Sequence, residues 1–302
     1  NESCKQQMIQ FQDVNFVVPD FKNEEEVLAN LRHNLLRLTA AVADHYDDSY
    51  DKRSFAVRSY RKFEEECIAG AISNTCDRSL AIDLGCATGM QSLRLAEQFT
   101  KVIGFDLSPE MVRVARKKIT SEFTDRLIFE EHDLENGIPL PDESASFVLM
   151  NLGTASDIRD IQKFIGEIMR ILKKGGRFLM SFYNKNALVY KWDFLPWPDG
   201  LAAEINQSLS CLDVHLGKET YPIFAKSYTS DEVEQMLGRK IVIGLNVATF
   251  PTVSSLLPNQ LFSEGNDRAR EAVDELDRYL STLTNGAYVV ATGEKGCSTI
   301  CV

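Results

Sequence analysis

Three acidic residues, Asp83, Asp106 and Asp133, each stand at or just past the end of a short β-prone run, and their surroundings set what they can bind. In LAIDLGCATGMQSLRLAEQ (80–98) the chain runs into Asp83, passes Gly85, Ala87 and Gly89, and enters a helix-like pattern. Alternating small residues permit positive φ and a tight turn, and they let a ligand touch the main chain. The spacing is not that of a dinucleotide loop, which has a third Gly three residues on. A carboxylate just before the first Gly would repel a pyrophosphate, but it suits an ammonium group and a cationic sulfur. Asp106 ends VIGFD, and an acid at the tip of a second strand can accept hydrogen bonds from both ribose hydroxyls. Asp133, in EEHDLENG, follows a third strand, where an exocyclic adenine amine would need an acceptor.

These acids need a scaffold that brings strand ends together. From residue 79, β-prone runs (SLAIDLG, KVIGFD, RLIFEEH, ASFVLMN, GRFLMSFY) alternate with helical segments near 89–99, 109–121 and 157–173. Ser108 and Pro109 open the second of these helices. The third carries Ile158, Ile161, Ile165, Ile168 and Ile171 in one stripe, with Ser156 as its expected cap and KKGG (173–176) as its close. Such alternation means a parallel sheet with helices on both faces, an α/β fold. Two helical stretches come earlier, at 24–42 and about 54–74. Two strands are expected late, at 240–250 and 287–295, with a helix between them that carries Ala269, Val273, Leu276 and Leu280 on one side. Residues 1–53 are read as an N-terminal helical cap and 54–302 as the core. Within the core, 184–228 is too long for an ordinary connection and is read as a lid or substrate-side insertion.

Bulk properties narrow the class. The chain has 302 residues, 44% hydrophobic and 25% charged, an ordinary globular composition. A net charge of −11 argues against broad attraction to nucleic acid or anionic lipid. No apolar run is long enough for a membrane span. The chain opens on Asn1 rather than Met, as a processed chain would, and no signal peptide is visible. Seven scattered cysteines without a Cys-x-x-Cys pair fit free thiols in a reducing, cytoplasmic setting. Cys297 and Cys301 lie in a tail without a prenylation box and are read as a frayed end. The cluster Asp44, His45, Asp47, Asp48 and Asp51 is read as a solvated face, and no metal is expected.

The three acids together describe a ligand with amine, ribose and adenine parts and no phosphates, which is S-adenosylmethionine. The segments AIDLGCATG, VIGFDLSPEMVRVARKK, EEHDLENGIPLPDESASFVLMN and RILKKGGRFLMSFYN stand in order at sensible spacing. In them the chain resembles the class I S-adenosylmethionine-dependent methyltransferases, closest in style to the small-molecule branch of ubiquinone/menaquinone-type enzymes. The likeness covers roughly residues 40–183 and reaches YTSDEVEQML and the late strands by topology only. It implies a doubly wound, mostly parallel seven-stranded sheet (Rossmann-like, order 3-2-1-4-5-7-6), with S-adenosylmethionine as cofactor and S-adenosylhomocysteine as product. Carried over, Asp83, Gly85 and Gly89, with the backbone around Cys86 and Ala87, flank the methionine moiety. Asp106 holds the ribose, Leu107 and Met111 pack on the adenine, and Asp133 meets its amine with Leu134 beside it. Asn151 and Leu152 lie near the sulfonium. AVADHYDDSYD (41–51) resembles the segment whose tyrosine covers the methionine end, so Tyr46 and Tyr50 are candidates.

The implied activity is methyl transfer to an O, N, C or S atom of a small organic acceptor. The sulfonium is a good leaving group, so alignment can supply much of the barrier reduction, on the order of 7–11 kcal/mol. A base is needed only for a hydroxyl or carbon acid, and His132 is the candidate. Tyr183, Asn184, Trp192, Trp197 and Tyr221 are the candidate acceptor-lining residues. NLGT after the fourth strand is not the Asn-Pro-Pro-aromatic pattern of nitrogen-methylating nucleic-acid and glutamine enzymes, and no Pro-Cys dipeptide serves cytosine-C5 chemistry. The expected partner is a small-molecule acceptor, not nucleic acid, with monomer and homodimer both open. The alternatives are a cofactor-binding regulatory or non-methylating protein on the same fold, and an NAD-type oxidoreductase.

Overall fold

Five apolar strands, β1 (Leu80–Leu84), β2 (Lys101–Asp106), β3 (Leu127–Glu131), β4 (Ala145–Met150) and β5 (Leu172–Tyr183), run parallel in the computed structural model of the chain. β4 is buried at every residue, which is why it reads as a continuous apolar run rather than an alternating one. Three further strands, β6 (Ala202–Asn206), β7 (Cys211–Leu216) and β8 (Glu219–Phe224), form a separate antiparallel sheet. β9 (Val242–Phe250) and β10 (Tyr288–Lys295) complete the main sheet, with β10 antiparallel to both β5 and β9. The order is 3-2-1-4-5-10-9, the order expected, since β9 and β10 are the sixth and seventh strands of that sheet. The structure describes residues 24–51, 54–191, 202–240 and 242–296. Trp192, Trp197, Cys297 and Cys301 lie outside the described residues, and so does the side chain of Tyr50.

The helices are α1 (Glu24–Val42), α2 (Tyr46–Asp51), α3 (Phe55–Ser73), α4 (Met90–Ala96), α5 (Pro109–Lys117), α6 (Ile161–Ile171), α7 (Leu188–Lys191), α8 (Ser230–Gly238) and α9 (Asp267–Leu280). α6 and α8 bury Phe164, Ile165, Ile168, Val233 and Leu237 on one face of the main sheet. α3, α4 and α5 bury Phe63, Ile68, Leu95, Val112 and Ala115 on the other. A third cluster joins Leu38 of α1 to Leu212, Val214 and Ile223 of the small sheet, so α1 packs on that sheet rather than on the core. No helix among the described residues is long and apolar enough to cross a membrane.

Four local expectations are corrected. α6 begins at Ile161, and its cap is Asp160, which accepts from the Lys163 amide at 3.1 Å. Ser156 is instead buried in a 3-10 turn, where its hydroxyl accepts from the Tyr183 amide at 2.8 Å. KKGG belongs to β5, at an irregularity in its pairing with β4. The helix with the apolar line Ala269, Val273, Leu276 and Leu280 leaves Leu276 44% exposed and buries Asp277. That carboxylate accepts the amides of Thr252 (2.8 Å), Val253 (2.5 Å) and Ser254 (3.1 Å), so a polar anchor docks α9.

Candidate active site

The carboxyl ends of β1, β2 and β4 open into one cavity of about 1060 Å³, the place where an open α/β sheet binds its ligands. The glycine loop after β1 forms its floor. The amides of Gly85 and Cys86 donate to the Phe105 carbonyl at 2.8 and 2.9 Å, tying the loop to the end of β2. Gly85 has φ +74°, and a Cβ there would stand 2.5 Å from Thr154 Cγ2, so only glycine fits. Asp106 accepts the amide of Ala87 on Oδ2 and that of Ser108 on Oδ1, both at 2.8 Å. Burial pushes its carboxyl up while these two bonds pull it down.

Asp83 is fully buried at the cavity wall. Its Oδ2 accepts from the Ser92 hydroxyl at 2.5 Å, and its Oδ1 has no partner. Burial pushes this carboxyl up to about 7; the Ser92 hydroxyl opposes the rise, and the charge of Asp106 adds to it. Asp133 accepts the Glu135 amide at 3.1 Å on Oδ1, and its Oδ2 pairs with Arg32 of α1. Leu107, Met111 and Leu134 complete this end.

The N-terminal helices are bolted to the loop. Asp47 accepts from the Thr88 hydroxyl at 2.6 Å and pairs with Lys118, which also donates to the Thr88 carbonyl at 2.7 Å. Asp44 pairs with Arg113 at 2.8 Å. Asp47 is therefore a partly covered docking group, Asp44 an exposed ion-pair partner on the solvated face expected, and Tyr46 between them reaches the cavity.

Past β4, Asn151 and Leu152 line the cavity. The Leu152 amide donates to Glu64 Oε1 at 2.9 Å, and the same oxygen accepts the Tyr60 hydroxyl at 2.8 Å. Burial raises both Glu64 and Tyr60. Tyr60 stacks on Tyr288, ring centroids 3.8 Å apart, and Tyr183 lies 5.5 Å from the same ring. The wall shared by α1 and the small sheet is aliphatic, with Leu28, Leu31, Leu35, Leu212, Val214 and Ile223.

Thirteen of the candidate cofactor- and acceptor-binding residues reach the cavity: Tyr46, Asp83, Gly85, Cys86, Ala87, Asp106, Leu107, Met111, Asp133, Leu134, Asn151, Leu152 and Tyr183. Four are placed elsewhere. Gly89 faces the sheet, where a Cβ would stand 2.5 Å from Phe129 Cζ, so its small size serves packing. His132 is held by Nε2 against the Gly137 carbonyl at 2.8 Å and lies edge-on to Phe105. Asn184 is fully buried, its amide donating to the carbonyls of Thr284 (2.9 Å) and Gly286 (2.6 Å). Tyr221 packs in the α1–small-sheet cluster with its hydroxyl on Glu219 and Arg37 over its ring. Arg32, Tyr60, Tyr288 and Asp157 line the cavity without having been singled out. Only Asp157 leaves a sequence signal: TASDIRD holds two acids, and one helix start needs only one cap.

A family model described as a methyltransferase domain matches residues 77–236. A putative methyltransferase of Dictyostelium discoideum is 31% identical over 140 residues, covering 46% of this chain and 50% of that protein. A demethylmenaquinone methyltransferase of Symbiobacterium thermophilum is 29% identical over 171 residues, covering 52% of this chain and 65% of that one. The chain thus spans half to two thirds of the length of these relatives. Among solved structures, an S-adenosylmethionine-dependent methyltransferase from Clostridium acetobutylicum superposes with a TM-score of 0.57 at 15% identity, covering 84% of this chain and 99% of that one; the two share a fold. With the match spanning more than half of the chain and including the glycine loop and the strand-end acids, this chain belongs to the methyltransferase-domain family.

Proposed function

We propose that this chain transfers a methyl group from S-adenosylmethionine to a small organic acceptor. The observation that carries this reading is the glycine loop whose neighbouring carboxylates, Asp83 and Asp106, share one cavity, with Asp83 Oδ1 buried and unpartnered. That donor deficit fits a ligand with an ammonium group and ribose hydroxyls, and it is unsuited to a pyrophosphate. Asp83 and the loop backbone would hold the methionine part, Asp106 the ribose, and Asp133 with Leu107, Met111 and Leu134 the adenine. When bound, the cofactor supplies an electrophilic methyl group on a cationic sulfur. The chain's own contribution is alignment and exclusion of water, with α1 and α2 closing the cavity over the loop.

The aliphatic wall between α1 and the small sheet fits an acceptor with a substantial apolar part. We read residues 24–51 and the described part of 184–228 as the acceptor-side cap. Cys67, Cys76, Cys86 and Cys211 are free, which supports the expected cytoplasmic setting.

Calorimetric titration tests the reading. S-adenosylmethionine should bind at one site and NAD should not. Asp106→Ala should weaken the cofactor at least about tenfold, since roughly 1.4 kcal/mol is one decade. Binding of NAD in place of S-adenosylmethionine would overturn it.

A further inference from the structure

Thr88 sits at the centre of the glycine loop, and both of its polar groups are held from outside the loop. It is buried. Its hydroxyl donates to Asp47 Oδ1 of α2 at 2.6 Å, and its carbonyl accepts from Nζ of Lys118, the residue that caps the end of α5, at 2.7 Å. Lys118 also pairs with the other oxygen of Asp47, so the three residues close a ring of polar contacts. The chain on either side of Thr88 is left-handed, with φ +45° at Ala87 and +81° at Gly89. Glycine adopts that conformation freely, whereas an alanine holds it only where its surroundings enforce it. In this conformation the Ala87 amide donates to Asp106 Oδ2, on the carboxylate proposed for the ribose.

The same ring fastens the N-terminal helices to the main sheet. Leu35, Leu38 and Val42 of α1 pack with the small sheet, and no described residue of 24–51 belongs to either apolar cluster of the main sheet. The segment reaches the elements around the cavity through ion pairs: Arg32 with Asp133, Asp44 with Arg113, and Asp47 with Lys118. Of these three, only the last keeps both side chains at 30% exposure or less, so solvent and salt screen it least. Lys118 is not among the residues that line the cavity, so it can act on a bound ligand only through Thr88 and Asp47, which are.

Resting on the cofactor assignment above, we propose that Lys118 and Asp47 are positioning residues for the cofactor. They clamp Thr88, and through it the left-handed Ala87, so that the loop backbone and Asp106 are shaped for the ligand while α2 is docked. Without the ring, the buried hydroxyl and carbonyl of Thr88 lose their partners, and the loop relaxes to find others. Ala87 then leaves the left-handed region, and its amide leaves Asp106. The coupling is reciprocal: a docked α2 that favours the ligand is favoured by the ligand in return. The cofactor therefore tightens the segment 24–51 through Thr88, with no bond from Lys118 to the ligand itself.

The test is calorimetric titration of the full chain with S-adenosylmethionine, joined to amide hydrogen exchange with and without saturating ligand. In the parent, S-adenosylmethionine should slow exchange across 24–51. Lys118→Met should weaken binding at least about fivefold and, at saturation, lose that slowing. Adding Asp47→Asn to Lys118→Met should weaken binding little further, because both residues act through one ring. A purely structural loss would speed exchange equally in both states and leave the ligand-dependent difference intact. Circular dichroism confirms the fold of the variants, and the comparison in the parent needs no variant. Binding by the parent without slowing across 24–51 overturns the inference and leaves the cofactor assignment standing. So does a Lys118→Met variant that keeps either the parent's affinity or its ligand-dependent slowing, and so does a second loss in the double variant as large as the first. Failure of the parent to bind S-adenosylmethionine overturns the two together.

Discussion

Glu64 of α3 and Leu152 past β4 meet behind the cavity wall, where one carboxylate oxygen accepts the Leu152 amide at 2.9 Å and the Tyr60 hydroxyl at 2.8 Å. Leu152 has φ +54°, a left-handed conformation that costs a leucine free energy and persists only where its surroundings enforce it. Glu64→Ala leaves a buried donor, the Tyr60 hydroxyl, and a part-buried one, the Leu152 amide, without this acceptor, and a loss of about 1–3 kcal/mol is expected in urea unfolding. Glu64→Gln keeps an oxygen for both donors and should stay within about 1 kcal/mol of the parent. Equal losses for the two variants would show that the shared oxygen is not what holds the loop.

The contact between Gly85 and Thr154 gives a second expectation. Gly85→Ala would force its methyl against Thr154 Cγ2, 2.5 Å away, at φ +74°. Cofactor affinity in calorimetry should fall at least about tenfold. Thr154→Ser removes the clashing methyl, so the double variant should recover part of the loss, with a coupling of at least about 0.5 kcal/mol. The strain of the left-handed alanine, roughly 1–2 kcal/mol, should remain. Strictly additive effects would rule out the contact.

Asp277 should prove the anchor of α9. Asp277→Ala strips acceptors from three backbone amides, those of Thr252, Val253 and Ser254, and a loss of about 3 kcal/mol or more is expected. Asp277→Asn retains one oxygen and should lose less. Leu276→Ala, at a position 44% exposed, should change the melting temperature little. The reverse ranking in thermal unfolding would return α9 to apolar docking.

The pH dependence of stability carries a sign. Asp83 and Asp157 are raised to about 7 and about 8, mainly by burial, against an unfolded value of about 3.9. The folded chain therefore holds their protons longer than the unfolded chain does. Their contribution to stability is fully present below about pH 4 and is lost as pH rises through about 7 and 8, with a limiting slope of about 1.4 kcal/mol per pH unit for each group. Asp83→Asn and Asp157→Asn should each flatten that fall in urea unfolding of the ligand-free protein between about pH 5 and 9. A variant with the parent's full slope would show that its carboxyl does not titrate in this window.

The shared placement of the proposed cofactor residues on one cavity is legible in the sequence because its signals are local. Small residues alternate beside Asp83, and acids stand at the tips of strands that a parallel sheet must end on one side. Signals that depend on distant partners are not legible. Asn184 next to Tyr183 reads as a site residue, yet its amide clasps carbonyls of Thr284 and Gly286 about a hundred residues on. Ser156 and Asp160 are both good caps, and only the intervening 3-10 turn decides for Asp160. The strands β6 to β8 lie within 184–228, which the sequence marks only as a lid or substrate-side insertion, since each strand spans just five or six residues. Nothing in the apolar spacing of α1 foretells that its Arg32 reaches Asp133.

Because α1 and the small sheet pack directly on each other, the aliphatic wall proposed above for the acceptor is assembled from two stretches widely separated in the chain. Recombination that imports either stretch alone would leave Leu38 facing a foreign counterpart at positions 212, 214 and 223, and the wall would lose its seam. Exchanged as a matched pair, residues 24–42 and 202–224 form a module that could be replaced while Asp83 and Asp106 keep their native neighbours. If this wall holds the acceptor, a lineage retuning it would need changes in both stretches at once.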